Sequence, residues 1–135
     1  GAPAGDKTRR GDSRTPEGEF YICTRNATTS AFHIFLGLSY PASSDAVRGL
    51  QAGRIDRREY DLIQQRLKNG QAPLWETKLG GWIGIHGGSD APFARKKKRE
   101  RGSSDWTAGC IALTDAEIEE LYAATRLRTP VLVLP

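Results

Sequence analysis

Apolar residues recur at every second position between Phe32 and Ser39, so that Phe32, Ile34, Leu36 and Leu38 would share one face of an extended segment while His33 and Phe35 turn the other way. A strand over 32–39 is predicted. Phe20–Thr24 is a shorter β-prone run, Trp82–His86 sets Ile83 and Ile85 against Trp82 and His86, and Cys110–Leu113 sets Ile111 and Leu113 against Cys110 and Ala112. Pro130–Leu134 reads as a closing strand. Helical spacing takes over elsewhere. Asp45–Gln51, after Ser44, predicts a short helix, and Arg57–Asn69 a longer one, with Asp56 as N-cap, Glu59 three residues on, a stripe of Tyr60, Ile63 and Leu67, and Gly70 as the stop. Thr114 and Glu117 form another capping box, opening a helix to about Thr125 with Ile118, Leu121 and Tyr122 inward.

Residues 1–18 are polar and turn-forming, with Gly11-Asp12 and Thr15-Pro16-Glu17-Gly18 as successive turns, and residues 90–105 read as a long loop after the Gly87-Gly88 pair. No internal repeat is visible. Short strands interleaved with capped helices in 135 residues predict one domain over 1–135, turn-rich and strand-rich. The longest mostly apolar stretch, Phe32–Tyr40, has nine residues, well short of the ~20 a membrane-spanning helix requires.

Charge sharpens this picture in one place. The net charge is +4, yet residues 95–101 hold six Lys/Arg and one Glu, a local +5, so everything else sums to −1. The excess belongs to one segment of the expected basic loop. That argues against nucleic acid as partner, since an extended basic face spreads its charge over several elements. Six like charges in seven positions predict instead a mobile, exposed flap. Two cysteines, Cys23 and Cys110, are too few for a disulfide framework and too far apart for a CxxC motif. No charged n-region with an apolar h-region is present, so a secretion signal is expected only upstream of Gly1.

A cysteine nucleophile needs a thiolate, an imidazole to manage its proton and backbone N–H groups for the oxyanion. His86 and Cys110 could supply the first two, each beside glycine at the end or start of a short strand, on the face opposite to neighbouring Ile residues. Gly109 would let a carbonyl approach the backbone closely. A packed thiol beside an unrelated histidine has the same spacing, so the pattern alone leaves both open. Two histidines without HExxH or paired-cysteine spacing are too few for a zinc site, and Gly87-Gly88-Ser89-Asp90-Ala91 lacks the last glycine of a GxSxG elbow. Cys23 reads as a packed thiol. His33 is either structural or in contact with substrate, Trp106 either a core anchor or a cleft wall, and Arg14 either braces its turn or holds a substrate carboxylate.

The segments Gly11-Asp12-Ser13-Arg14-Thr15-Pro16-Glu17-Gly18, Ile85-His86-Gly87 and Thr107-Ala108-Gly109-Cys110-Ile111-Ala112-Leu113-Thr114 resemble, in order and over most of the chain, the YkuD-type L,D-transpeptidase catalytic domain of bacterial cell-wall enzymes. The resemblance implies a mainly β fold with flanking helices, α+β in class, with Cys110 as acyl-forming nucleophile, His86 as its base and the Gly87 carbonyl as the group orienting the imidazole; the N–H groups beside Gly109 are candidates for the oxyanion hole. It implies no cofactor. Trp106, Thr107, Arg14 and His33 become candidate substrate contacts. The implied substrate is the peptidoglycan stem peptide, with the thioester passing to an amine or to water, in the periplasm or outside the cell. Ala108 and Ala112 depart from the usual family residues, His before the Gly-Cys pair and Arg or Asn two after the Cys. They resemble a hydrolytic subgroup that severs peptidoglycan from an anchored lipoprotein, which makes such a lipoprotein a further candidate substrate or acceptor and an L,D-amidase or carboxypeptidase the alternative activity. A polyanion-binding module on an inactive scaffold is a further alternative, and the intact Cys110, His86 and Gly109 set argues against it. Family members carry sheet strands ahead of the GDxRTPEG turn, so the first strands are expected from another segment or a partner chain.

Overall fold

The computed structural model describes residues 4–102 and 105–135; residues 1–3, in the expected leading loop, and 103–104, in the expected basic loop, lie outside the described residues. Nine elements follow in order: β1 (Gly18–Asn26), β2 (Phe35–Leu38), α1 (Ser43–Gln51), α2 (Arg57–Lys68), β3 (Gly84–His86), α3 (Pro92–Arg101), β4 (Ile111–Ala112), α4 (Asp115–Ala124) and β5 (Pro130–Val133). The strands form one sheet in the order β4-β3-β2-β1-β5. Neighbours run antiparallel except β3 and β4, which are parallel, with Ile85 beside Ile111 and His86 beside Ala112. The class is α+β, as the family resemblance implies.

One side of the sheet is the core. Ile22, Ile34, Leu36 and Ile85 close on Ile118 of α4, with Ile111, Leu113, Leu121 and Tyr122 packed around them. Phe20, Leu38, Tyr40 and Ile83 form a second cluster, and Ala46, Ile55, Ile63 and Leu79 a third that joins α1 to α2. The helix signals hold: Asp56 accepts the Glu59 N–H at 2.7 Å, and Thr114 and Glu117 complete their reciprocal cap on α4. Helix α1 starts two residues earlier than expected, its first turn capped by Asp45, whose carboxylate accepts the Ala42 N–H at 2.8 Å.

Three expectations are corrected. The basic run is not a loop: residues 92–101 form α3, with Pro92 at its start, Ala94 buried, and Gly102 in the left-handed region (φ 63°) closing it. Lysine and arginine are good helix formers, and the repulsion among them is relieved by solvent and by the Lys96–Glu100 pair one turn apart (3.8 Å). Strand β2 begins at Phe35 rather than Phe32, because His33 takes a left-handed φ of 69° and breaks the alternation. Trp82 likewise lies outside β3 with φ 57° and is 60% exposed.

Candidate active site

The parallel register decides where the chemistry sits. Ile85 and Ile111 face the core, so His86 and, one step before β4, Cys110 face the other side of the sheet. Carried one step back, the same register sets Gly84 beside Cys110, and a Cβ on Gly84 would run into the Phe35 ring and the Leu36 carbonyl. Strand rise and spacing put the Cα atoms of His86 and Cys110 roughly 8 Å apart.

His86 is 2% exposed. Its Nδ1 lies 2.7 Å from the Gly87 carbonyl oxygen, so that nitrogen carries the proton and donates a hydrogen bond to the carbonyl, leaving Nε2 as the basic atom of the neutral ring. Burial depresses the imidazole pKa below its ordinary 6.5, against a smaller upward pull from that carbonyl. The carbonyl itself is held from behind. The Gly88 N–H donates to Asp115 Oδ1 at 2.8 Å and the Gly87 N–H to the Ile34 carbonyl at 3.2 Å. A Cβ on Gly87 would stand 2.6 Å from Asp115 Oδ1 and 2.9 Å from the Phe32 carbonyl, so the first turn of α4 fits only glycine here.

Aromatic rings seal the imidazole. Phe32 stacks on it, with centroids 4.4 Å apart and planes at 28°, and Trp106 meets it edge-on at 5.7 Å. Phe93, from the first turn of α3, touches both at 6.0 and 5.4 Å. Phe32 and Phe93 are site residues the sequence does not announce: alternation assigns Phe32 to the core, and a basic run hides Phe93. The left-handed turn at His33 is the reason Phe32 reaches the imidazole.

The Cys110 thiol donates to the Trp82 carbonyl at 3.4 Å. Burial pushes its pKa above the ordinary 9.0, opposed by smaller pulls from the Gly84 backbone and the Lys7 charge. Thiol and imidazole thus rest neutral, the sulfur hydrogen-bonded to Trp82 rather than to His86. Thr107 ties the preceding turn, donating to the Cys110 carbonyl at 2.7 Å and accepting the Gly109 N–H at 3.4 Å. Gly109 has φ 121°, and a Cβ there would run into the Arg14 carbonyl.

That carbonyl belongs to a turn organised by one carboxylate. Asp12 accepts from Lys7 Nζ (2.6 Å) and from the N–H groups of Thr8 (2.9 Å), Arg9 (3.0 Å) and Arg14 (3.2 Å). Burial raises its pKa, but Lys7 and the three N–H groups outweigh it and bring it down to about 2. The Gly11–Gly18 turn therefore buttresses the Thr107–Cys110 loop through its backbone. The Arg14 guanidinium does not reach the cleft: it lies against Gly5 and donates to the Asp6 carbonyl at 3.4 Å. His33 is also away from it, paired with Glu119 at 2.7 Å on the surface.

A cleft of about 360 Å³ opens on Cys110, lined also by Thr15, Ser89, Lys98, Asp105, Trp106 and Thr107, with Ala112 beyond. A second recess of about 330 Å³, lined among others by Arg10, Glu76, Trp82 and Ala108, borders the same Ala108–Cys110 segment. Trp106 thus both packs against the imidazole and walls the cleft. Among the described residues no cluster of His, Cys, Asp or Glu has the grouping of a metal site, and no helix is long and apolar enough to cross a membrane.

Comparison with known proteins gives this geometry a frame. Two crystal structures of the helical cell shape determining protein Pgp2 from Campylobacter jejuni, the protein itself and a single-residue mutant, share the fold: each has a TM-score of 0.59 at 21% identity over 97% of this chain. The chain spans about a third of their length, 35% and 34%. A search among curated protein sequences finds no match. The family model described as the L,D-transpeptidase catalytic domain, YkuD, matches residues 1–133, and the chain belongs to that family.

Proposed function

We propose that this chain is a cysteine acyltransferase acting on peptidoglycan stem peptides in the cell envelope. Turning about χ1 frees the Cys110 sulfur from Trp82 and aims it at the imidazole. Sγ then attacks the carbonyl carbon of the third stem residue while its proton passes to His86 Nε2. The C–N bond to the terminal D-amino acid breaks, its nitrogen takes that proton, and the acyl group remains as a thioester on Cys110. An incoming amine completes the exchange or cross-link. What carries the reading is the neutral, buried His86, tied through Nδ1 to the Gly87 carbonyl on the sheet face that also bears Cys110. Two recesses bordering one nucleophile segment give room for a donor and an acceptor peptide.

Ala108 and Ala112, which depart from the usual family residues, favour a second reading in which water accepts the acyl group and the chain is an L,D-amidase or carboxypeptidase, with a wall-anchored lipoprotein as a further substrate or acceptor. Incubation with a tetrapeptide muropeptide and an added D-amino acid, followed by mass spectrometry, separates the two. Exchange of the terminal residue supports transfer, a tripeptide product alone supports hydrolysis, and an unchanged substrate with no acyl adduct on Cys110 overturns both. Strand β5 ends the sheet, and its edge is where a strand from another segment or partner chain would add.

A further inference from the structure

Of the six cations in residues 95–101, five are exposed and one is not: Lys98 is half-buried. Its position follows from the helix. Ala94, one turn earlier on the same face of α3, is fully buried, and Phe93 anchors the first turn against Phe32 and Trp106, so the face that carries position 98 is turned onto the site. Lys98 Nζ donates to the Ser89 carbonyl at 2.9 Å and lines the Cys110 cleft together with Ala112 and with Asp105, whose carboxylate is not in ion-pair contact with it. That bond engages one of the three ammonium donors. No carboxylate stands within ion-pair distance of it among the described residues, whereas Lys7, Lys96, Arg48 and Arg57 each have one. A half-buried ammonium fixed by a neutral carbonyl at the rim of a reaction cleft is a receptor for an anion.

We propose that Lys98 is a specificity-determining residue that binds a carboxylate of the peptide whose carbonyl Cys110 attacks. The proposal rests on the acyl-transfer reading of the site and assigns the recognised group within it. Two carboxylates of a stem peptide share the required chemistry, one on the side chain of the third residue and one at the peptide's C-terminus. Ala112 adds only a methyl group to the lining, and the cleft of about 360 Å³ leaves room for either. A charge-assisted contact of this kind is worth on the order of a tenfold change in affinity or more.

The test uses four synthetic stem tetrapeptides: both carboxylates free, each one amidated alone, and both amidated. Binding to the Cys110→Ala chain is measured by calorimetry, and kcat and KM with the catalytically intact chain. Expected is about a tenfold preference for the free acid over the form amidated at one of the two positions, which identifies the carboxylate recognised. Lys98→Gln removes that preference through KM and Kd with kcat little changed, Lys98→Arg retains part of it, and Lys97→Gln, on the exposed side of α3, leaves it intact. The proposal is overturned if Lys98→Gln keeps the acid-to-amide preference, or if the unsubstituted cleft shows none. The binding arm decides this without turnover. A chain that binds the acids through Lys98 but acylates none of them would refute the reaction and leave the carboxylate site standing.

Discussion

The two thiols of this chain sit in opposite circumstances. Cys23 donates to the Gly37 carbonyl at 3.3 Å, and burial pushes its pKa up to about 12, so it is an inert packing group. Cys110 opens on a cleft beside a neutral histidine. Cys110→Ala is expected to abolish acyl transfer while Cys23→Ala retains most of it, and intact-mass spectra should place any acyl adduct on Cys110 alone. Because His86 must be neutral to accept the thiol proton and burial holds its pKa below 6.5, the acid limb of kcat/KM should fall below that pH. Phe32 is the residue that keeps the ring dry. Phe32→Ala admits water to one face of the imidazole, and we expect the limb to move up toward 6.5 with a roughly tenfold loss in kcat. A loss of rate with the limb unmoved would make Phe32 a packing residue only. That Cys110 and His86 share one face of the sheet was legible from strand parity, while the roles proposed for them and for the Gly87 carbonyl come from the family resemblance. Phe32 was not, since its place depends on a left-handed φ at His33 that nothing in the alternation signals.

Among the elements, the capped helices α2 and α4 declared themselves through Asp56 with Glu59 and Thr114 with Glu117, whose side chains satisfy backbone N–H groups that only a helix start leaves open. Helix α3 did not. It has no side-chain cap, and its dense positive charge reads as self-repelling; what settles it as a helix is tertiary, the burial of Ala94 and the anchoring of Phe93. Its exposed residues include Arg95, Lys96, Lys97, Arg99 and Arg101, five cations against the single carboxylate of Glu100, beside the cleft. Replacing Arg95, Lys96, Lys97 and Arg99 by Gln should weaken binding to intact sacculi at low salt, converge with the unsubstituted chain at high salt, and leave kinetics on small soluble muropeptides nearly unchanged. Equal losses on both substrates would mean that the helix has shifted. The Gly109 turn makes a sharper demand. Gly109→Ala forces a Cβ against the Arg14 carbonyl at a backbone angle only glycine takes easily, a strain of about 1–3 kcal/mol relieved only by moving the nucleophile loop. We expect activity to drop by at least tenfold while the thermal transition shifts by a few degrees.

In the molecule as a whole, the strands were legible but not their order. The parallel pairing of β3 with β4 brings together residues 84–86 and 111–112, and α3 fills the connection that a parallel pair requires. Within the leading segment Lys7 and Asp12 form a buried pair, their side chains 3% and 8% exposed, and the segment meets the body through Arg10 on Lys78 and Glu76 and through Asp6 on Arg48. The sequence marked Asp12 as part of a turn, but not that four donors converge on it. This knot gives folding stability a predictable pH dependence. The pKa of Asp12 is lowered from 3.8 to about 2 in the folded chain. A carboxyl with a depressed folded pKa contributes its stability in full above the unfolded value and loses it as pH falls through the folded one. At about 1.4 kcal/mol per unit the contribution is roughly 2 kcal/mol, lost between about pH 4 and pH 2. Asp12→Asn removes this term and leaves the Lys7 ammonium buried beside a neutral amide, so at pH 7 we expect a destabilisation of about 3 kcal/mol. Urea denaturation of both proteins across pH 7 to 2 checks it. The gap between them should hold near its full size down to pH 4 and then narrow, because the unsubstituted chain loses its carboxylate while the variant has none to lose. A gap that stays constant to pH 2 would show that Asp12 holds the turn through geometry alone, without the charge that Lys7 faces.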